Sequence, residues 1–61
     1  MEVKEFDIVK LKNGMTGTIV DVCSKDVCMI ELDSEFIIDD VWFMFIYTTD
    51  IASIIYHHTK Q

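Results

Sequence analysis

Seven consecutive apolar or aromatic residues, at positions 41–47, constrain the fold of this chain more than any other feature. A half-buried strand alternates apolar and polar residues, because successive side chains point to opposite faces of the sheet. This run has no polar position, so both faces of the strand would be apolar. It therefore predicts a β-strand covered on both sides, by the protein's own core on one side and by a further surface on the other.

The length of 61 residues allows one domain, and we expect it to span residues 1–61. A domain this small buries only about 60% of the surface of its unfolded chain, so a monomer would be marginally stable. The composition is 51% hydrophobic although the net charge is −6. Self-association hides apolar surface efficiently, so we expect a homo-oligomer, most simply a dimer.

The charge balance narrows the classes of partner. Eleven acidic residues outnumber five lysines, and the pI is about 4.5. Nucleic-acid binding requires cationic side chains against the phosphates, so this composition argues against nucleic acid as a partner. The long-range field would instead attract a basic protein.

The sequence carries no segment typical of export or membrane insertion. Residues 1–5 are polar and acidic, with no apolar signal core behind them. Polar residues at 48–50 interrupt the central run well before the length of a membrane span. Two cysteines are too few for a disulfide framework. We therefore expect a cytoplasmic protein with no membrane partner.

Short β-type segments separated by turns make up the rest of the chain. Turns are expected at residues 12–14 and 24–26, and a single helical turn at 49–51, capped by Thr49 or Asp50. Gly17 indicates a bulge or a close backbone approach. The predicted strands are residues 6–11, 18–23, 27–33, 41–47 and 53–57, with a short strand at 36–38 as an open alternative and a frayed tail at 58–61.

Alternation assigns the faces of two of these strands. In residues 18–23, one face would carry Thr18, Val20 and Val22, and the other Ile19, Asp21 and Cys23. In residues 27–33, the inward side chains would be Cys28, Ile30 and Leu32, and the outward ones Met29, Glu31 and Asp33.

Five short strands joined by tight turns favour a small, strongly bent barrel. Residues 6–11 (FDIVKL) and 13–20 (NGMTGTIV) resemble the opening hairpin of SH3-like barrels, and in particular a family of small bacterial proteins of unknown function with the pattern D-x-V-x-L, G-x-x-G-T-V-V. Residues 30–32 and 49–51 are similar to that family's V-E-F strand and one-turn helix. The resemblance implies an all-β, five-stranded SH3-like barrel with a one-turn helix before the last strand. It implies no catalytic residue and no cofactor, and residues 36–47 are longer and more apolar than its pattern.

An acidic segment and the apolar run are the candidate partner-binding residues. Five carboxylates occur within ten residues that contain no lysine, and the first three are spaced by two, so they would line one face of an extended segment. They could be a solvated surface or a docking surface for a basic patch. Calcium binding is a poor third alternative, because the EF-hand spacing is absent. The acidic candidates are Glu31, Asp33, Glu35, Asp39 and Asp40.

The apolar run would place Trp42, Met44 and Ile46 on one face and Phe43, Phe45 and Tyr47 on the other. One set should fill the core. The other would expose more contiguous apolar area than an ordinary monomer does. A homodimer interface, a hot spot for another protein and an aromatic cage for a methylated lysine are the three readings. The candidate contact residues are Trp42, Phe43, Phe45 and Tyr47.

The two cysteines and two histidines are residue types that bind metals or act in catalysis. Cys23 and Cys28 could face each other across a hairpin, but adjacent strand residues such as His57 and His58 point apart. Nucleophilic catalysis would need a base beside a thiolate, which an inward Cys28 disfavours. We therefore expect no metal, no cofactor and no enzymatic activity.

Together these features predict a non-enzymatic protein-interaction module, for example a small bacterial or phage immunity or inhibitor protein. It would use the apolar run at 41–47 and the acidic segment at 31–40 against a protein partner, and the charge field favours a basic one. The alternative is a nucleic-acid or ribonucleoprotein accessory barrel, or an acidic mimic of nucleic acid.

Overall fold

Residues 2–58 are described by the computed structural model, which is all-β. The strands are β1 (Ile8–Leu11), β2 (Thr16–Val22), β3 (Val27–Leu32), β4 (Phe43–Tyr47) and β5 (Ile51–Tyr56). They form one antiparallel sheet in the order β4-β3-β2-β1-β5. One 3-10 turn (Ser34–Phe36) follows β3, and a second (Thr48–Asp50) joins β4 to β5.

The predicted all-β class, the five strands and the helical turn before the last strand are confirmed. In the described residues β4 and β5 form the two edges of an open sheet, so barrel closure is not observed. Within residues 2–58, no helix has the length and apolar character that a membrane crossing requires. The expected tail at 58–61 lies outside the described residues except for His58.

The core lies on one face of the sheet, where β3 alternates as predicted. Cys28 and Ile30 are fully buried and Leu32 nearly so, while Met29 and Glu31 between them are half-buried. Ile30 pairs with Ile19 of β2 and with Met44 of β4. The complete set of buried apolar residues is Val3, Val9, Leu11, Ile19, Cys28, Ile30, Leu32, Ile46 and Ile51.

A bulge in β2 overturns the predicted faces of that strand. The register with β3 shifts between Ile19 and Asp21, so Val20 is the extra residue. Beyond it, Asp21 pairs with the outward Met29 and Val22 with the buried Cys28. Val22 therefore lies on the same side as Ile19, and the simple two-residue alternation of residues 18–23 was wrong.

At Gly17 the backbone of β2 lies close to β3. A Cβ at this position would lie 2.5 Å from the carbonyl oxygen of Glu31 and 2.8 Å from Cγ1 of Ile30. The prediction of a close backbone approach at this glycine is thus confirmed. Only a residue without a side chain lets β2 and β3 pack this tightly.

The connection before β4 contains a tight turn in place of the short strand considered for residues 36–38. Asp39 and Asp40 both have positive φ, 54° and 61°, and the Val41 amide donates to the Ile38 carbonyl at 3.0 Å. Positive φ at both central residues is the signature of a type I′ hairpin turn. Ile38 and Val41 form an isolated antiparallel bridge around it.

The helical turn and the strand after it begin earlier than predicted. The turn covers Thr48–Asp50 and β5 starts at Ile51. Of the two predicted caps, Asp50 acts at the start of the turn, where its carboxylate accepts a hydrogen bond from the Tyr47 amide at 3.0 Å. That bond occupies the last amide of β4.

Candidate functional site

The outer face of β4 carries three large, exposed aromatic side chains. Phe43, Phe45 and Tyr47 are 51%, 64% and 64% exposed, and we call them the aromatic strip. They pair in register with the outward residues of β3, which are Glu31, Met29 and Val27 respectively. The predicted grouping of these three side chains on one face is therefore correct, and the face is open to solvent in the single chain.

The inner side of the same run contributes less to the core than predicted. Only Ile46 is buried, at 6% exposure, whereas Trp42 and Met44 are 50% and 38% exposed. The reason is topological: β4 lies at the edge of the sheet, so its inner side extends beyond the core. Cover on both sides of the run, which the sequence favoured, is not supplied by the described part of this chain.

The five acidic candidates lie close to the start of β4 but do not form one line. Glu31 is half-buried on β3 opposite Phe43. The carboxylate of Asp33 accepts a hydrogen bond from the Thr16 hydroxyl, and its amide donates to the Thr16 carbonyl at 3.1 Å. Asp33 is thus a structural link between β2 and the end of β3. Its carboxylate, expected from the sequence to contact a partner, is therefore hydrogen-bonded within the chain.

Glu35 lies in the first 3-10 turn, which breaks the extended geometry assumed for the spacing by two. Asp39 and Asp40 are exposed in the tight turn two residues before the aromatic strip. We define the acidic rim as Glu31, Glu35, Asp39 and Asp40. Residues 26–59 contain no lysine, so the rim and β4 themselves contribute carboxylates and no lysine to this surface.

The backbone of β4 has an unpaired edge in the described residues. The Leu32 amide donates to the Trp42 carbonyl at 2.8 Å, which makes Trp42 a hydrogen-bonded position of the β3–β4 ladder. Hydrogen-bonded and non-hydrogen-bonded positions alternate along an antiparallel pair. The amides and carbonyls of Phe43 and Phe45 therefore point away from β3, toward the open edge, as does the Tyr47 amide that Asp50 binds.

The cysteines and histidines do not assemble into a metal or catalytic site. The Cys23 amide bonds the Val27 carbonyl, whereas Cys28 pairs with Val22, so the two cysteines do not face each other across the hairpin as considered. Cys23 is exposed and Cys28 is buried, and both are free thiols. Burial of the side chain raises the pKa of the Cys28 thiol, and the nearby Cys23 and Asp50 raise it further. Among residues 2–58, no group of three potential ligand side chains could hold a metal ion.

Sequence analysis missed one polar residue in the core, the fully buried Asp7. Its Oδ2 accepts from the Lys4 amide at 2.9 Å and its Oδ1 from the His58 amide at 2.9 Å. His57 Nδ1 lies 3.3 Å from Oδ2. The only sequence signal was an acidic residue within the otherwise apolar start of the first predicted strand. The contacts are consistent with a structural role, because they join the two ends of the described chain.

Two open depressions mark the surface. The larger, of about 400 Å³, lies beside Val3, Val22 and Lys25, and the smaller, of about 290 Å³, is lined by Met44, Ile46 and Lys12 among others. No described cysteine or histidine lines either depression. The polar side chains at the larger depression are Glu2, Ser24, Lys25 and Thr48, and those at the smaller one are Lys12, Asn13 and Asp50.

No family model matches this sequence, and no curated protein or solved structure shows significant similarity to the chain. The functional interpretation rests on the geometry of the β4 edge and the charges around it.

Proposed function

We propose that this protein is a non-enzymatic protein-interaction module built on an SH3-like barrel. Its contact surface would be the aromatic strip on the outer face of β4, and the acidic rim would select a basic partner. The strand order β4-β3-β2-β1-β5 and the one-turn helix before the last strand support the barrel. A small accessory protein, such as a bacterial or phage immunity or inhibitor protein, is the kind of molecule that such a surface would serve.

The single observation that carries this proposal is the exposure of the aromatic strip beside the acidic rim. Three aromatic side chains on one short strand, each more than half exposed, form an apolar patch that a soluble monomer rarely leaves open. Aromatic residues concentrate binding energy at the centre of protein interfaces. Charges of one sign at the border raise the rate of encounter with an oppositely charged partner and reject like-charged ones.

Nucleic acid is the runner-up partner, and the charge disfavours it. Five lysines against eleven carboxylates leave little cationic surface for phosphate. We expect no shift of single-stranded or duplex nucleic acid on a gel at low salt. A lysine-dependent shift would contradict the proposed class of partner, and competition with DNA for a nucleic-acid-binding protein would instead favour the acidic mimic.

The decisive experiment first captures a protein partner with the wild-type chain. It then compares the rate at which that partner associates with the wild type and with a variant in which three rim charges are reversed. The variant E31K/E35K/D39K leaves Asp33 in place, because its carboxylate bonds Thr16. We expect at least a tenfold slower association at low salt, with a weaker dependence on ionic strength.

The matched control reverses three exposed charges outside the rim, in E2K/E5K/D26K, and has the same net charge. Its association rate should stay within about threefold of that of the wild type, because the local field at the rim is unchanged. Equal slowing of both variants would show that only net charge matters and would contradict the docking role of the rim.

A further inference from the structure

We infer that β4 is the interface between two copies of this chain, which pair edge to edge and antiparallel about a two-fold axis at Met44. This rests on the proposed function and adds to it, since the second copy takes the backbone edge of β4 while the outer faces of the aromatic strip and the acidic rim stay open to the protein partner. Each copy would then contribute its five strands to one continuous sheet. The two acidic rims remain at the ends of the interface, open to a different partner.

The two edges of the sheet differ in protection. Native edge strands usually carry a lysine, a proline, an inward charge or a bulge, which prevent pairing with another chain. β4 has none of these, and its register with β3 runs without a shift. β5, at the other edge, meets β1 with register shifts at two places. β4 is therefore the edge that can accept a further strand.

The free backbone groups fix the register of the pair. Phe43 and Phe45 each direct an amide and a carbonyl to the open edge, whereas Asp50 already binds the Tyr47 amide. With the two-fold axis at Met44, Phe43 of one copy lies opposite Phe45 of the other, and all of these free groups form hydrogen bonds. An axis at Phe45 would instead require the occupied amide of Tyr47. The Asp50 carboxylate thus selects the register.

Exposed apolar side chains flank the edge that would pair. Six large side chains at positions 41–45 and 47 are between 38% and 64% exposed. At about 100 Å² each they expose about 600 Å² per copy, and edge pairing buries the part of this area that faces the partner strand. The interface would therefore combine this apolar contact with the backbone hydrogen bonds of the β4 edge. A chain of 61 residues also gains more from association than a larger domain does.

Charge repulsion favours the antiparallel arrangement. The acidic turn at Asp39 and Asp40 lies at one end of β4, so parallel strands would place two such turns side by side. In the antiparallel pair the two Asp40 residues are separated by about eight residue steps, or roughly 27 Å along the strands. This distance is several times the Debye length of about 8 Å at physiological salt. Two copies can therefore pair along the β4 edge without bringing their acidic rims together.

Sedimentation equilibrium on the full chain tests the interface with a proline at position 45. The Phe45 amide points to the open edge, so Phe45→Pro removes a bond of the dimer and none of the β3–β4 ladder. Phe45→Ala removes the same ring but keeps the amide. We expect a dimeric wild type and a dissociation constant for Phe45→Pro at least tenfold above that for Phe45→Ala.

The folding control is Met44→Pro, which removes an amide at a hydrogen-bonded position of the ladder and should lower the unfolding midpoint. Phe45→Pro should keep the circular dichroism spectrum of a folded β protein. A wild type that is monomeric at concentrations on the order of 100 μM would overturn the inference. So would equal dissociation constants for the proline and alanine variants.

Disulfide cross-linking tests the register. In a Cys23→Ser background, Met44→Cys places two thiols at a non-hydrogen-bonded pair, with Cα atoms about 4.5 Å apart, which is within disulfide range. Phe45→Cys places them on a diagonal at more than about 7 Å, which is too far. We expect Met44→Cys to form covalent dimers under mild oxidation at least tenfold faster than Phe45→Cys. The reverse order would overturn the Met44 axis.

These outcomes are separate from the outcome for the proposed function. A monomeric wild type whose partner binding depends on the rim would remove the dimer but leave the interaction module. A dimer whose partner binding ignores E31K/E35K/D39K would keep the β4 interface and remove the role of the rim.

Discussion

The carboxylate of Asp7 accepts a hydrogen bond at 2.9 Å from the backbone amide of His58, a residue 51 positions later in the chain. The same side chain is fully buried and also accepts from the Lys4 amide at 2.9 Å. It therefore fastens the segment before β1 to the segment after β5, beside the β1–β5 pairing. A buried carboxylate is stable only when such donors surround it.

Replacing Asp7 should destabilise the fold strongly. Asp7→Ala leaves the amides of Lys4 and His58 without their acceptor, at a cost of about 3 kcal/mol in the free energy of unfolding. Asp7→Asn keeps one acceptor oxygen and should cost about 1–2 kcal/mol. Urea unfolding followed by circular dichroism measures both. The exposed Glu35→Gln is the control and should change stability by less than about 0.5 kcal/mol. An unchanged unfolding midpoint for Asp7→Ala would contradict the stabilising role of the Asp7 carboxylate.

The contribution of Asp7 should depend on pH in a definite direction. Burial raises the pKa of this carboxyl, but hydrogen bonds from Lys4 and His58 and the nearby His57 outweigh burial, and the pKa lies below its usual value of 3.8. A pKa lowered in the folded state means that ionised Asp7 stabilises the fold above about pH 3.8 and that this stabilisation is lost as the pH falls through the lower, folded value.

The measurement is the difference in unfolding free energy between wild type and Asp7→Asn from pH 7 to pH 2. We expect this difference to stay constant above about pH 5 and to shrink below pH 4. The other carboxylates affect both proteins equally, so the difference isolates Asp7. A difference that grows on acidification would mean that the pKa of Asp7 is raised.

The two glycines should respond to alanine for different reasons. At Gly17 the new Cβ would lie 2.5 Å from the Glu31 carbonyl oxygen, so β2 and β3 must separate. We expect a loss of at least about 2 kcal/mol. At Gly14 there is open space but φ is +93°, so Gly14→Ala should cost about 1 kcal/mol through backbone strain. Thermal unfolding ranks the two variants, and an equal or smaller loss at Gly17 would contradict the close approach.

Substitutions in the tight turn before β4 should increase the stability of the fold. Asp39 and Asp40 hold positive φ, which Asn and Gly adopt at lower cost in a type I′ turn. We expect Asp39→Asn/Asp40→Gly to stabilise the protein by about 0.5–1 kcal/mol. Urea titration of this double variant against Asp39→Asn alone checks it, because the single change should give less than half of the gain. Destabilisation by the double variant would show that the turn geometry is different.

Local patterns predicted much of the secondary structure. Turn residues at Asn13 and Gly14 and the alternation from Cys28 to Leu32 were enough to locate the first three strands and the inward face of β3. The faces of β2 could not be predicted, because the bulge at Val20 depends on the partner strand. The burial of Asp7 could not be predicted either, since two of its donors lie at the far end of the chain.

For the candidate site too, local features could be predicted from the sequence and long-range contacts could not. The sequence alone grouped Phe43, Phe45 and Tyr47 on one face, because alternation along a strand is a local property. It could not separate Asp33, which binds Thr16, from the exposed carboxylates near it, because that distinction depends on a contact between residues far apart in the chain.

By itself, the sequence determined that this protein is a small, acidic, all-β chain with more apolar surface than its own core needs. Composition and side-chain periodicity are local quantities, and they decide strand content and charge. Only the tertiary structure decided that β4 lies at the edge of the sheet, with the amides of Phe43 and Phe45 directed outward. Strand order depends on which strands pack together across long sequence distances, so it cannot be predicted from any single segment.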